Sequence, residues 1–337
     1  MKSTLFPLTP ALSPGERENN SPRADNAGRP CSSKGFSDGQ SETGDCKCSD
    51  GIIDEHRTDL PLLGERAGER ASVRQESNST DLPTISKLLL RWFTWHSRRY
   101  VRRHFNSLRI ARSELPTLAS EKPLVIFSNH ASWWDPLVGL LLGAEFLPGK
   151  NIFAPMDATA LERYGLFKRL GAFGVEQATR RGGVQFLRAA RAILQESNHV
   201  LWLTPQSRFA DARERPVRFK SGIGHLPGLA SEIYFVPVAI EYAFWEERLP
   251  EILVRFGAPY RATPEDRSVK PEWWTEFFAD RLRETQDALA RQAQRRDPAE
   301  FRCLMRGRAG VGGIYDRWRR FKAGWRGQSF QPEHGKL

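Results

Sequence analysis

PLVIFSNHASWWDPLVGLLL, residues Pro123 to Leu142, decides how the rest of the chain is read. Leu124 to Phe127 is a short apolar run with Val and Ile, the composition of a buried strand. It stops at the polar Ser128-Asn129-His130. Asp135-Pro136 follows, an N-cap candidate before a proline at the first helical position. Leu137 to Leu142 then begins an apolar helix. The order is strand, polar loop, helix start. In open α/β sheets the loop beyond a strand's C-terminal end is where ligands sit.

His130 and Asp135 lie five residues apart across that loop. A carboxylate bonded to one imidazole nitrogen fixes the tautomer and leaves the other nitrogen free to take a proton. The one G-x-S-x-G, Gly35 to Gly39, lies in a polar stretch and follows no apolar strand, so it does not read as a nucleophile elbow. The pair therefore suits activation of a substrate hydroxyl better than activation of a protein nucleophile. A second reading stands beside it. Ser132-x-x-Asp135 has the form of a capping box, Asp135 can simply cap a helix, and His130 can be a hydrogen-bonded loop histidine.

The flanking residues favour the chemical reading. Asn129-His130-x-Ser132-x-x-Asp135 after an apolar strand resembles the first motif of the glycerolipid acyltransferase family, which includes the lysophosphatidic acid acyltransferases. Further segments follow in the family's order. Gly171-Ala-Phe173-Gly-Val175 resembles the second motif. Thr204-Pro205-Gln206-Ser207-Arg208 resembles an altered third motif, Phe219-Lys220-x-Gly222 the segment after it, and Val236-Pro237-Val238 the fourth. The resemblance runs from about Leu108 to Tyr260. Two departures bear on substrate. The family's second motif ends with an arginine thought to hold the acceptor's phosphate, where this chain has Gln177, with Arg180 and Arg181 close behind. Its third motif has Glu-Gly where this chain has Gln206-Ser207, and Arg208 stands one position early.

Of the net charge of +11, more than the whole lies in two segments. Ser86 to Arg112 holds eight basic residues and no acid, and Arg302 to Arg326 holds eight against Asp316 alone. Such ends suit an anionic surface. Neither carries a recognised nucleic-acid signature, and both interleave Trp, Phe and Leu with arginine, as interfacial helices do. The expected partner is therefore an anionic membrane surface rather than nucleic acid. No run reaches the ~18 apolar residues of a spanning helix. Of four cysteines, Cys46-x-Cys48 lacks a second ligand pair, so no metal is expected. The secretory h-region is missing too, and the expected location is the cytoplasmic face of a membrane, peripherally bound.

Along the chain, residues 1–82 are polar, rich in Ser, Gly and Pro, and read as a disordered tail. Gly-Glu-Arg recurs there at 15–17, 64–66 and 68–70, in no arrangement that builds a fold, and one expectation is a translation start further downstream. Residues 83–112 read as a basic amphipathic helical segment, with Ile85, Leu88, Leu89, Trp92 and Phe93 on one face and Leu108 to Ile110 as an edge strand. Residues 113–300 read as the α/β domain and 301–337 as a basic aromatic tail. Within the domain, helices are predicted over 162–170, 182–196 and 273–295, and strands over 173–175, 199–204, 233–242 and 252–256. Pro237 should mark a strand end or edge. The predicted fold is α/β, a mixed and mostly parallel sheet flanked by helices.

The resemblance implies an O-acyltransferase that moves a fatty acyl group from acyl-CoA or acyl carrier protein to a lipid hydroxyl, with no cofactor beyond that co-substrate and a 1-acylglycerol-3-phosphate-like acceptor foremost. A non-phosphorylated or glycosylated lipid alcohol is the alternative, and a non-catalytic membrane-surface protein on the same scaffold is a third reading. His130 is expected as general base and Asp135 as its partner. Asn129, Ser132, Arg180, Gln206, Ser207, Arg208 and Lys220 are expected to contact substrate.

Overall fold

The computed structural model describes residues 82–112 and 122–309, together with 318, 321–323 and 325. The disordered tail expected over 1–82 falls almost wholly outside the described residues, as does most of the segment after 309. Helix α1 (Lys87–His104) leads into β1 (Ser107–Ala111). Then come β2 (Leu124–Ser128), α2 (Asp135–Phe146), β3 (Asn151–Asp157), α3 (Ala158–Arg163), a 3-10 turn (Gly165–Leu170), β4 (Ala172–Val175), α4 (Arg180–Leu194) and β5 (His199–Leu203). A 3-10 segment (Ser221–Gly228) precedes β6 (Ile233–Ala243), β7 (Glu251–Phe256), β8 (Tyr260–Ala262), α5 (Pro271–Arg295) and β9 (Phe301–Arg306).

Among the described residues the strands form one sheet in the order β4-β3-β5-β2-β6-β7-β1-β9, with β8 also on β6. Five pairings are parallel and three antiparallel. The mixed, mostly parallel sheet read from the sequence is borne out. Strand β2 is central and buried along its whole length, the pattern of a strand covered on both faces. Leu124 and Ile126 pack on one side with Val138, Leu141 and Leu142 of α2 and Val101 of α1. Val125 and Phe127 pack on the other with Ala190 and Ile193 of α4 and Phe278 and Leu282 of α5. Trp274, Phe278, Leu282 and Leu289 are the buried face of α5, as their spacing predicts.

Several expectations change. Pro237 does not end β6, which runs on to Ala243 in the middle of the sheet. On one side β6 changes partner, from β8 at Ile233–Phe235 to β7 from Val238 onward. Pro237 falls in the gap between them, where a missing N–H costs no ladder bond; its carbonyl accepts from Gly257 N at 2.8 Å. The boundary placed at 300 is not where the sheet stops: β9 pairs antiparallel with β1 over Phe301 to Arg306. Strand β1 in turn lies between β7 and β9 and is not the edge. The helix expected over 162–170 is two pieces, α3 and the 3-10 turn, ended by Gly171 at φ +105°. A side chain at Gly171 would also meet the Ile152 carbonyl oxygen at 2.2 Å.

The face assigned to α1 is split. Leu89 and Phe93 are half-buried, Phe93 edge-on to Phe167 at 6.2 Å. Leu88 and Trp92 point outward with Trp95, at 79, 53 and 60% exposure. The stripe that packs runs through Leu89, Phe93, Ser97 and Val101, about one residue round the helix from the one read off the sequence.

Candidate active site

The site forms where β2 ends, between the loop after β5 on one side and the end of β6 on the other. Backbone pairing of β2 with β6 stops at Ser128–Val238. The Asn129 side chain then takes over. Its Nδ2 donates to Ile240 O at 2.9 Å and its Oδ1 accepts from Ile240 N at 2.8 Å. The amide thus stands in for one more peptide unit of the ladder and lets the main chain turn away. Asn129 is 0% exposed, so its side chain is spent on the turn and is not presented to a substrate, contrary to the expectation that it binds one.

The turn delivers His130, whose Nδ1 lies 2.8 Å from Asp135 Oδ2. An ionised carboxylate only accepts, so Nδ1 carries the proton and Nε2 is left with a free lone pair. Asp135 is 5% exposed and accepts from three groups. Ser132 N reaches Oδ2 at 2.9 Å and Tyr242 Oη reaches Oδ1 at 2.6 Å, besides His130. Asp135 Oδ2 serves two donors, the Ser132 N–H in the turn that leads into α2 and the imidazole. Asp135 is not the N-cap itself: α2 begins with it, and Trp134 occupies the cap in helical backbone geometry. Ser132 contributes a backbone N–H and accepts at Oγ from Trp134 N at 3.4 Å, so it braces the turn.

His130 is also gripped by the loop after β5. Its N–H donates to Gln206 Oε1 at 3.0 Å, and its carbonyl accepts from Ala210 N at 2.9 Å. The Phe209 ring packs on the imidazole at 4.3 Å between centroids. Because His130 N–H can only donate, the Gln206 oxygen must face it. The Gln206 Nε2 makes no hydrogen bond within the described residues, and it is not among the sealed polar atoms that lack a partner. It offers a donor beside the base. Ser207 turns the loop at φ +54°, a left-handed geometry that disfavours a side chain. It is exposed. Ser207→Gly should raise stability by about 0.5–1 kcal/mol, read as a higher urea midpoint with the slope unchanged.

The basic residues expected at the site are less closely gathered. Arg208 is exposed and paired with Glu214, and also donates to Phe209 O at 3.2 Å. Lys220 is exposed and fixed by its backbone N–H to Pro205 O at 2.9 Å. Arg180 opens α4 after β4, and β4 is three strands from β2 in the sheet order. Arg181 leans toward Glu176 at 3.7 Å. Tyr242 was absent from the sequence reading. Burial first, then the charge and hydrogen bond of Asp135, push its phenol well above the usual tyrosine range, so it stays a donor. Strand parity places it on the face of Val238 and Ile240 that meets α2, the one signal the sequence held.

Residues 100–241 match the sequence model of the family described as Acyltransferase. That segment carries an acyltransferase domain, which bears out the resemblance read from the motifs. A solved structure similar to it is the 1-acyl-sn-glycerophosphate (LPA) acyltransferase PlsC from Thermotoga maritima, at 13% identity and a TM-score of 0.39, covering 62% of this chain and 80% of that one. No curated protein matches the chain in sequence.

Proposed function

We propose that this chain transfers a fatty acyl group from a thioester, acyl-CoA or acyl carrier protein, to the hydroxyl of a lipid, with a 1-acylglycerol-3-phosphate-like acceptor first. The observation that carries the reading is the 2.8 Å contact of His130 Nδ1 with Asp135, which leaves Nε2 as a base. Nε2 takes the hydroxyl proton as the oxygen attacks the thioester carbonyl. A C–O bond forms and the carbonyl π pair moves onto oxygen. That pair then returns, the C–S bond breaks, and the leaving sulfur takes the proton back from Nε2. Ester and thiol result, and the imidazole is restored. Asp135 stabilises the imidazolium in between, and the Gln206 amide is a donor for substrate oxygen.

The test is purified protein with acyl-CoA or acyl carrier protein thioesters and a panel of lipid alcohols, wild type against His130→Ala, read by mass spectrometry. A phosphatidic acid product supports the first acceptor; no ester with any alcohol overturns the reading. A non-phosphorylated or glycosylated acceptor is the second reading. It is favoured by the engagement of Arg208 with Glu214.

The membrane surface enters this proposal as the source of acceptor. Among the described residues no helix is long and apolar enough to cross a membrane. The outward Leu88, Trp92 and Trp95 of α1 stand among exposed Arg91, Arg98, Arg99 and Arg102, an apolar and cationic face for peripheral binding to anionic lipid, at the cytoplasmic side. Replacing Leu88, Trp92 and Trp95 together by Ser should weaken binding to phosphatidylglycerol vesicles at least tenfold in co-sedimentation. Thioester turnover with a soluble alcohol should be unchanged.

A further inference from the structure

Tyr242 lies one residue beyond the segment matched by the acyltransferase family, and no motif read from the sequence includes it. Its hydroxyl nonetheless donates to Asp135 Oδ1 at 2.6 Å, a short bond of the kind an ionised acceptor makes. The division of the carboxylate is complete. Oδ1 goes to Tyr242, and Oδ2 goes to His130 Nδ1 and Ser132 N. With Oδ1 pinned, the carboxylate cannot rotate about its Cβ–Cγ bond, and Oδ2 stays aimed at the imidazole. Tyr242 is itself held. Strand β6 fixes its backbone through Ile252 of β7, and the Phe105 ring packs 5.8 Å from its own. The Asn129 amide ties Ile240, two residues before Tyr242, to the residue just before His130. The two ends of the hydrogen-bonded chain are thus clamped to each other through β6.

We propose that Tyr242 is a positioning residue for acyl transfer, completing a Tyr242–Asp135–His130 relay in which its hydroxyl fixes the carboxylate that orients the base. This rests on the acyltransferase reading above and adds to it a residue that acts through Asp135 alone. Its effect belongs to turnover, not to substrate binding, because its hydroxyl is spent on Asp135.

The experiment is a double-mutant cycle on acyl-CoA turnover with Tyr242→Phe, Asp135→Ala and the pair. In the wild-type background Tyr242→Phe should lower kcat about tenfold with KM unchanged, within the range that loss of a hydrogen bond to a charged group permits. In the Asp135→Ala background the same change should leave kcat where it is and should raise the melting temperature, because the hydroxyl it removes has lost its acceptor. An equal loss of kcat in both backgrounds, or no loss in either, overturns the proposal. His130→Ala is the control for the reading beneath: if it matches wild type, the acyltransferase mechanism fails and not Tyr242 in particular. Should Tyr242→Phe fold too poorly to assay, the His130 Nδ1–H proton resonance of that variant in the cold decides. A shift from the wild-type position supports the relay, and an unchanged resonance overturns it.

Discussion

His130→Ala should fold like the wild type and lose acyl transfer by roughly 10²–10⁴-fold, the usual worth of a positioned general base. Both halves follow from the contacts. Among the described residues the imidazole makes one hydrogen bond, to Asp135, and lies against one partly exposed ring, Phe209. Its backbone N–H and carbonyl hold Gln206 and Ala210 in any residue. Removing the side chain therefore leaves the loop clamp in place. Asp135 keeps Ser132 N and Tyr242 Oη, so the carboxylate does not become an orphan. The expected result is a melting temperature within a few degrees of wild type and a kcat reduced by at least two orders of magnitude. Retained turnover at normal stability would remove His130 from the mechanism.

What the sequence could and could not say follows from the range of each interaction. Strand β2 and the loop after it were legible because the signal is local: an apolar run, a sudden polar exit, a proline at the helix start. The two readings of Asp135 were not separable there, since one carboxylate oxygen serves both the turn before α2 and the imidazole. Pro237 misled because the rule that excludes proline from central strands assumes that one partner runs the whole length. Here two short partners meet at that residue. Strand β9 was hidden in a basic stretch, Phe301 to Arg306, whose alternation shows only as Phe301 and Met305 buried between exposed arginines. Asn129 and Tyr242 were misread or missed for the same reason. Each is defined by a partner on another strand or loop, 111 and 107 residues away along the chain. In the same way Gln206, read as a substitution in a substrate-binding motif, holds the backbone of the base 76 residues earlier.

Asp135 should give the largest combined effect, and two substitutions separate its roles. Asp135→Ala removes the acceptor of three donors at once: His130 Nδ1, Ser132 N and Tyr242 Oη. The carboxylate is nearly fully buried, and water does not readily replace it. Each buried donor left unpaired costs about 1–3 kcal/mol, so a loss of roughly 3 kcal/mol or more in urea unfolding is expected, with turnover falling to near the His130→Ala level. Asp135→Asn has nearly the same shape and keeps one acceptor oxygen. Ser132 N can only donate, so it keeps that oxygen at the Oδ2 position beside His130 Nδ1, and the amide nitrogen faces Tyr242 Oη, a hydroxyl that can accept. The tautomer is kept, but a neutral amide does not stabilise the imidazolium that forms as the base takes its proton. Asparagine should therefore retain more stability than alanine and still lose turnover, by about 10–100-fold, the worth of a hydrogen bond to a charged group. Urea midpoints and kcat measured on both variants check this. If Asp135→Asn kept wild-type turnover, Asp135 would be a helix brace alone, and His130 would have to take the substrate's proton without a carboxylate to steady its charge.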